Sequence, residues 1–267
     1  MTHPPVRAVF AAVFAALLGA CGNGATPGTQ PPPTVPPTPA PAVPAARLLV
    51  VTHTTGFRHD SIPAAETVLR QVGLESGLYE TEFCRTADDV RARLTASGLA
   101  SVDAVFFANT TGNLGIPNMT EFLAWVAGGK AFLGAHSASD TYHDSPEYLA
   151  MLGGEFTTHG AIVDADVRVN ESSNAVVSHL APRFRIADEW YRFNLTGPGR
   201  SVLLSFDRVP ADGVGTAGDP ADLPIAWQKA HGSGRVFYTA MGHRSEVWED
   251  QRFRRHLLEA IRWALAR

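Results

Sequence analysis

The folded part of the chain opens on an apolar, β-rich run at residues 47–53 (RLLVVTH), which predicts a strand buried on both faces. A polar, glycine-containing loop follows and then a helix: Asp60 or Ser61 stands where a cap is needed and Pro63 suits the first turn. Ala65, Val68, Leu69 and Val72 recur at helical spacing, and Gly73 is expected to stop the helix. Residues 78–84 predict a second strand, and residues 87–95 a short charged helix capped by Thr86. Residues 103–109 (DAVFFAN) predict a third buried strand, and residues 119–126 a helix capped by Asn118 and closed by Gly128-Gly129. A fourth buried strand starts at Ala131. Strand and helix alternating over short connections predict an α/β fold, a doubly wound and mostly parallel sheet with right-handed crossovers.

After Gly160 the pattern changes. Residues 162–169 alternate apolar and polar, and residues 200–206 and 223–229 are further strand candidates, so a partly antiparallel section is expected there, with 207–224 as a surface loop. Residues 235–240 (RVFYTA) return to the buried-strand type. The last helix, 249–266, sets Phe253, Leu257, Ile261 and Leu265 on one face.

The amino-terminal segment belongs to neither pattern. Arg7 precedes an apolar run, residues 8–18, too short to span a bilayer and right for a signal-peptide core. Leu18-Gly19-Ala20-Cys21 follows and resembles a bacterial lipoprotein box, which implies lipidation of Cys21, and Gly22 after it leans towards the outer membrane. Residues 22–46 are rich in Pro, Thr, Ala and Gly and predict an extended spacer. The expected organisation is a leader at 1–21, a spacer at 22–46 and one domain at 47–267, exported and lipid-anchored to the cell envelope.

Composition narrows the partners. Of 267 residues 45% are hydrophobic and 18% charged, with a formal net charge of -4 and no basic run, which argues against nucleic acid and leaves small molecules, sugars or proteins. Cys84 is the one cysteine of the folded part, so no disulfide forms within a mature chain, and in its β-patterned stretch it is expected to fill core.

Candidate chemistry gathers at strand ends. Residues 130–160 (KAFLGAHSASDTYHDSPEYLAMLGGEFTTHG) pass from an apolar strand straight into a dense polar set, and His53, His136 and His243 each end a buried strand, as does Asn109. In a parallel sheet those ends share the edge where ligands bind. The blocks 53–62 (HTTGFRHDSI), 134–141 (GAHSASDT), 153–159 (GGEFTTH), 188–191 (DEWY) and 234–243 (GRVFYTAMGH) together resemble the ThuA-like (trehalose-utilisation) family. The chain departs from that pattern at Asn174-Ala175, where the family often has His-Pro, and at Ser139, often Thr. The resemblance implies a class I glutamine-amidotransferase-like, flavodoxin-type sheet and an association with disaccharide or glycoside utilisation.

Amidotransferase chemistry itself is excluded, because the turn after the fourth strand carries His136 and Ser137 in place of a cysteine. Ser137 also lacks the flanking glycines of a serine-hydrolase elbow. Two chemistries stay open. His136 with Asp140, or Glu189, serves general acid–base exchange with sugar hydroxyls or a keto-sugar. Alternatively His136, His159 and His243, with Glu189, supply ligands for a divalent metal, zinc or similar, assembled only by the fold. The blander roles are a helix cap for Asp140 and a partner of Arg58 for Glu189. His53, Thr55, Phe57, Arg58, His59, Asn109, Tyr142, Tyr191 and His243 are expected to contact a carbohydrate, with Trp190 a further aromatic beside the motifs. The expected protein is an enzyme acting on a disaccharide, glycoside or keto-sugar, or else a non-catalytic sugar-binding or scaffolding lipoprotein; the oligomeric state stays open.

Overall fold

The computed structural model describes residues 44–214 and 223–267. The leader, Cys21, the spacer and part of the 207–224 loop lie outside the described residues. Residues from Val43 onward form one compact unit, and no described helix is long and apolar enough to cross a membrane.

The first half of the domain alternates as its hydrophobic pattern requires: β1 (Ala46–Val51), α1 (Ile62–Ser76), β2 (Tyr79–Cys84), α2 (Ala87–Arg93), β3 (Ala104–Ala108), α3 (Met119–Ala127) and β4 (Ala131–Ala135). Every residue of β3 and of β4 is buried, as befits central strands covered on both faces. A 3-10 turn, His136–Asp140, leads to α4 (Pro146–Leu152). Next come β5 (Gly154–His159), β6 (Val163–Val169), β7 (Arg183–Asp188), β8 (Tyr191–Leu195), β9 (Ser201–Phe206), β10 (Pro224–His231), β11 (Gly234–Thr239), α5 (Ser245–Glu249) and α6 (Gln251–Ala264).

Nine strands make one sheet in the order β2-β1-β3-β4-β11-β10-β9-β6-β7. The five from β2 to β11 are parallel, and the section beyond β11 is antiparallel. Strand order reverses between β1 and β3, the switch point at which a doubly wound sheet opens a crevice. Register sets what enters that crevice. Ala135 of β4 pairs with Ala108 of β3 and with Thr239 of β11, so Asn109, His136 and Ala240 leave the sheet side by side. A separate antiparallel ribbon of β5 and β8, with His159 opposite Tyr191, packs against the 3-10 turn.

Some local expectations are corrected. Gly73 lies inside α1: a Cβ there would sit 2.8 Å from the Tyr79 ring, so it is a packing glycine, and the helix ends at Gly77 in the left-handed conformation. Ser61 stands at the cap position without a side-chain cap bond; its hydroxyl is used at the strand ends instead. The last helix is two, broken at Asp250, whose side chain caps α6. Short runs with mixed burial, β5, β7 and β8, carry no clean alternation.

Candidate functional site

Strain marks the end of β4. His136 has φ 48°, a left-handed conformation that costs a non-glycine residue about 1–3 kcal/mol and needs support from its surroundings. The support is specific: Tyr238 donates its hydroxyl to the His136 carbonyl at 2.6 Å, and the ring Nδ1 lies 2.9 Å from the carbonyl of Ala240. Because a carbonyl only accepts, Nδ1 carries the proton and Nε2 offers its lone pair to the crevice.

Three other side chains meet that lone pair. His243, three residues past the register-matched Ala240, places Nδ1 3.2 Å from His136 Nε2 and 3.2 Å from Glu189 Oε2. Glu189, in the two-residue link between β7 and β8, places Oε2 3.5 Å from His136 Nε2. His59 comes from the loop after β1, its ring centre 4.8 Å from that of His136 and 5.2 Å from that of His243, edge to face with both. Among the described residues these four are the group whose donor atoms lie within 4.8 Å of one another.

Electrostatics of the cluster follow from proton counting. One proton on His243 Nδ1 serves its contacts with His136 and Glu189, but the His136–Glu189 edge then sets a lone pair against a carboxylate oxygen. Only a second proton or a cation relieves that edge. Burial drives the His59 imidazole down to about 3, with the charges of His136 and His243 adding to it, so His59 is neutral. Burial also opposes charge on Glu189, yet the contacts with His136 and His243, with the His136 edge protonated, outweigh it and hold the carboxyl well below the usual range. The reciprocal bond to Glu189 raises His243 against the effect of burial.

Donor chemistry and spacing fit a divalent metal. Three imidazoles and one carboxylate are a donor set that zinc takes, and ligand bonds of about 2.0–2.1 Å imply tetrahedral edges of about 3.3 Å, close to the three contacts above. The Ala240 carbonyl fixes the tautomer of His136 as metal-bound histidines require. His59, rather than the expected His159, completes the set. His159 stands at the rim, half exposed, with Nδ1 3.0 Å from Glu189 Oε1 and 2.9 Å from the Gly160 carbonyl.

The peptide before His243 is gripped from both sides. Buried Asp188 accepts from Gly242 N at 2.7 Å and from Arg244 N at 3.3 Å. The Gly242 carbonyl accepts from Ser61 Oγ at 3.1 Å, Asn109 Nδ2 at 2.8 Å and Trp248 Nε1 at 2.8 Å. Gly242 itself has φ 124° and lies against the Trp248 ring, which excludes a side chain there.

Above the cluster lies a cavity of about 220 Å³ lined by Phe57, His59, Asp140, Phe156, His159, Glu189, Tyr191 and His243. Tyr191 stacks 4.1 Å from His136 and 4.2 Å from Phe156. Phe57, 66% exposed, stands at the mouth with its edge towards His59.

Expected sugar contacts divide accordingly. Phe57, His59, Tyr191 and His243 line the cavity, as do Asp140 and Glu189; His53, Thr55, Arg58, Asn109 and Tyr142 do not. The His53 backbone is tied to Cys84, and its charged neighbours are Arg58, Arg91 and Asp89, on the α2 side. Thr55 ties its loop to Asn113 through a hydroxyl bond of 3.0 Å, and Arg58 donates to the Thr52 carbonyl. Asn109 is fully buried and positions Gly242, while Tyr142 is buried and accepts from Ile116 N. Trp190 is core, donating to Val163 O. The two bland roles fail as well: Asp140 caps nothing, since α4 is capped by Ser145, and the partners of Glu189 are His136, His159 and His243 rather than Arg58. Ser137 is buried with Oγ 3.4 Å from His59 Nδ1, and Cys84 is buried in β2 with its thiol pushed up to about 12; neither presents a nucleophile to the cavity. Sequence reading did not single out Asp188 or Phe156, and it offered Ser61 only as a helix cap. Their one signal was position beside or within the motif blocks.

Fold and site together define an α/β domain with a histidine-rich crevice at the carboxyl edge of a doubly wound sheet. The chain belongs to the ThuA family, described as trehalose utilisation, whose model matches residues 47–264. It is similar to the crystal structure of a ThuA-like protein from Parabacteroides merdae, with 18% identity, a TM-score of 0.70, and 83% of this chain and 90% of that chain covered. A ThuA-like protein from Bacteroides uniformis gives 20% identity and a TM-score of 0.66 over 85% of this chain and 95% of that one. The same fold occurs in a β-galactosidase from Bacillus circulans sp. alkalophilus, at 11% identity and a TM-score of 0.53, over 83% of this chain and 30% of that one. No curated protein matches the sequence.

Proposed function

We propose that this chain is a metal-dependent enzyme acting on a carbohydrate, a disaccharide, glycoside or keto-sugar derivative, and tethered to the cell envelope by a lipid on Cys21. The observation that carries the reading is the His136–Glu189–His243 triangle, with edges of 3.2–3.5 Å and an unsatisfied lone-pair contact, with His59 beside it. His59, His136, Glu189 and His243 are the ligands. A divalent ion there supplies Lewis acidity to a sugar oxygen.

The remaining groups have separate tasks. Asp140 faces the same cavity as an acid–base group without belonging to the ligand set. Phe57 and Phe156 offer ring faces to the C–H surfaces of a sugar, and Tyr191 braces His136 from the side. His159 holds the outer oxygen of Glu189 and sets the carboxylate plane.

A panel of glycosides and 3-keto-glycosides, incubated with wild type and His136→Ala after loading with zinc or manganese, tests this. Turnover by wild type that is lost in the variant and on chelation supports the reading. Sugar binding without turnover in either protein makes the chain a sugar-binding lipoprotein instead.

A further inference from the structure

A second titratable array stands beside the cavity, outside the ligand set. His143, between the 3-10 turn and α4, is clamped by two carboxylates: Nε2 is 2.7 Å from Asp140 Oδ1 and Nδ1 is 2.8 Å from Glu155 Oε1. The second oxygen of Glu155 accepts from Asn194 Nδ2 of β8 at 3.4 Å. Asp144, next in sequence, is engaged elsewhere, accepting from Asn113 Nδ2 at 2.9 Å. Ionised carboxylates only accept, so both ring nitrogens of His143 carry protons and the ring is an imidazolium. Burial opposes that charge, but the bonds to Asp140 and Glu155 outweigh it and raise His143; the bond to His143 in turn lowers Glu155.

The two ends of the array face different media. Asp140 lines the cavity, whereas the His143 side chain is 44% exposed to solvent. An ornamental surface ion pair has no need of two carboxylates on one ring, and such pairs contribute little to stability. We propose that His143 is the proton port of the cavity, handing protons from bulk water to Asp140 for delivery to a sugar oxygen, with Glu155 holding the ring in line.

Each transfer balances. The His143 Nε2–H bond breaks as an O–H bond forms on the Asp140 carboxylate; that O–H breaks in turn as one forms on the glycosidic oxygen, whose bond to carbon breaks while a water molecule bonds to that carbon and releases its proton to solvent. His143 is left neutral with Nδ1–H still on Glu155, and Nε2, the nitrogen that gave up its proton, takes one back from hydronium in the bulk solvent. His143 acts through Asp140 and is therefore a positioning and relay residue, and the assignment rests on the enzyme reading above.

Two measurements test it in the full chain. In an NMR titration, His143 of wild type should titrate above the ordinary 6.5, and Asp140→Asn and Glu155→Gln should each shift it down; a wild-type midpoint at or below 6.5, or one unmoved by Asp140→Asn, overturns the array. With any glycoside that wild type turns over, His143→Gln keeps hydrogen-bonding groups at the position but cannot relay a proton, so kcat should fall about 10²-fold at unchanged KM. Added imidazole should restore part of that rate in His143→Gly. Turnover that survives His143→Gln overturns the proton port alone. Absence of turnover in wild type overturns the enzyme reading, and proton delivery with it.

Discussion

The carboxylate of Asp188 accepts from Gly242 N at 2.7 Å, and through that bond the strand that ends just before Glu189 is fastened to the turn carrying His243. The two ligands sit 3.2 Å apart because their neighbours are joined. Asp188→Ala removes the acceptor for one buried and one part-buried N–H group and should cost about 3 kcal/mol of stability. It should also weaken metal binding by about 10- to 100-fold, as loss of a supporting partner does. Urea unfolding and calorimetric zinc titration read the two effects separately.

Phe57 is 66% exposed at the cavity mouth, where its burial contributes almost nothing to the fold. Phe57→Ala should leave the melting temperature unchanged and weaken the binding of whichever glycoside wild type takes up by up to about tenfold, the scale of one aromatic contact. Parallel thermal melts and NMR titrations with that glycoside check this.

His256 offers a pH dependence remote from the site. Burial, with a smaller contribution from the charge of His179, lowers its imidazole to about 4, against an ordinary 6.5. The unfolded chain therefore takes up this proton first as pH falls. The stability it confers is complete above about pH 6.5 and is lost on descent to about pH 4, by about 3 kcal/mol in all. Denaturation between pH 7 and 4 should show a flatter profile for His256→Phe than for wild type.

The proposed lipid anchor makes a cellular prediction. Replacing Cys21 by serine should move the protein from the membrane fraction to the soluble envelope fraction, read by fractionation and immunoblotting; retention in the membrane fraction would remove the anchor from the account.

Much of the parallel half was readable in advance. β3 and β4 are continuous apolar runs, and buried strands between helices have few other solutions. The later strands were less so: β5, β7 and β8 are short and half exposed, and β5 and β8 depend on each other in a ribbon whose partners lie over thirty residues apart. At the site, the strand-end rule found His136 and His243 but named His53, because the apolar run stops there. The chain continues through a loop that turns His59 inward instead. Asn109 was found for its strand end and misread in role, since nothing local says that its amide serves a glycine 133 positions on.

The central claim is that His59, His136, Glu189 and His243 hold one divalent ion. Elemental analysis of the chain, purified without chelator and then dialysed against zinc, measures it directly. The account predicts one metal ion per chain in wild type and a large loss in Glu189→Gln and His136→Ala with the fold intact by circular dichroism. Metal-free wild type under the same conditions, or full occupancy in both variants, would contradict it.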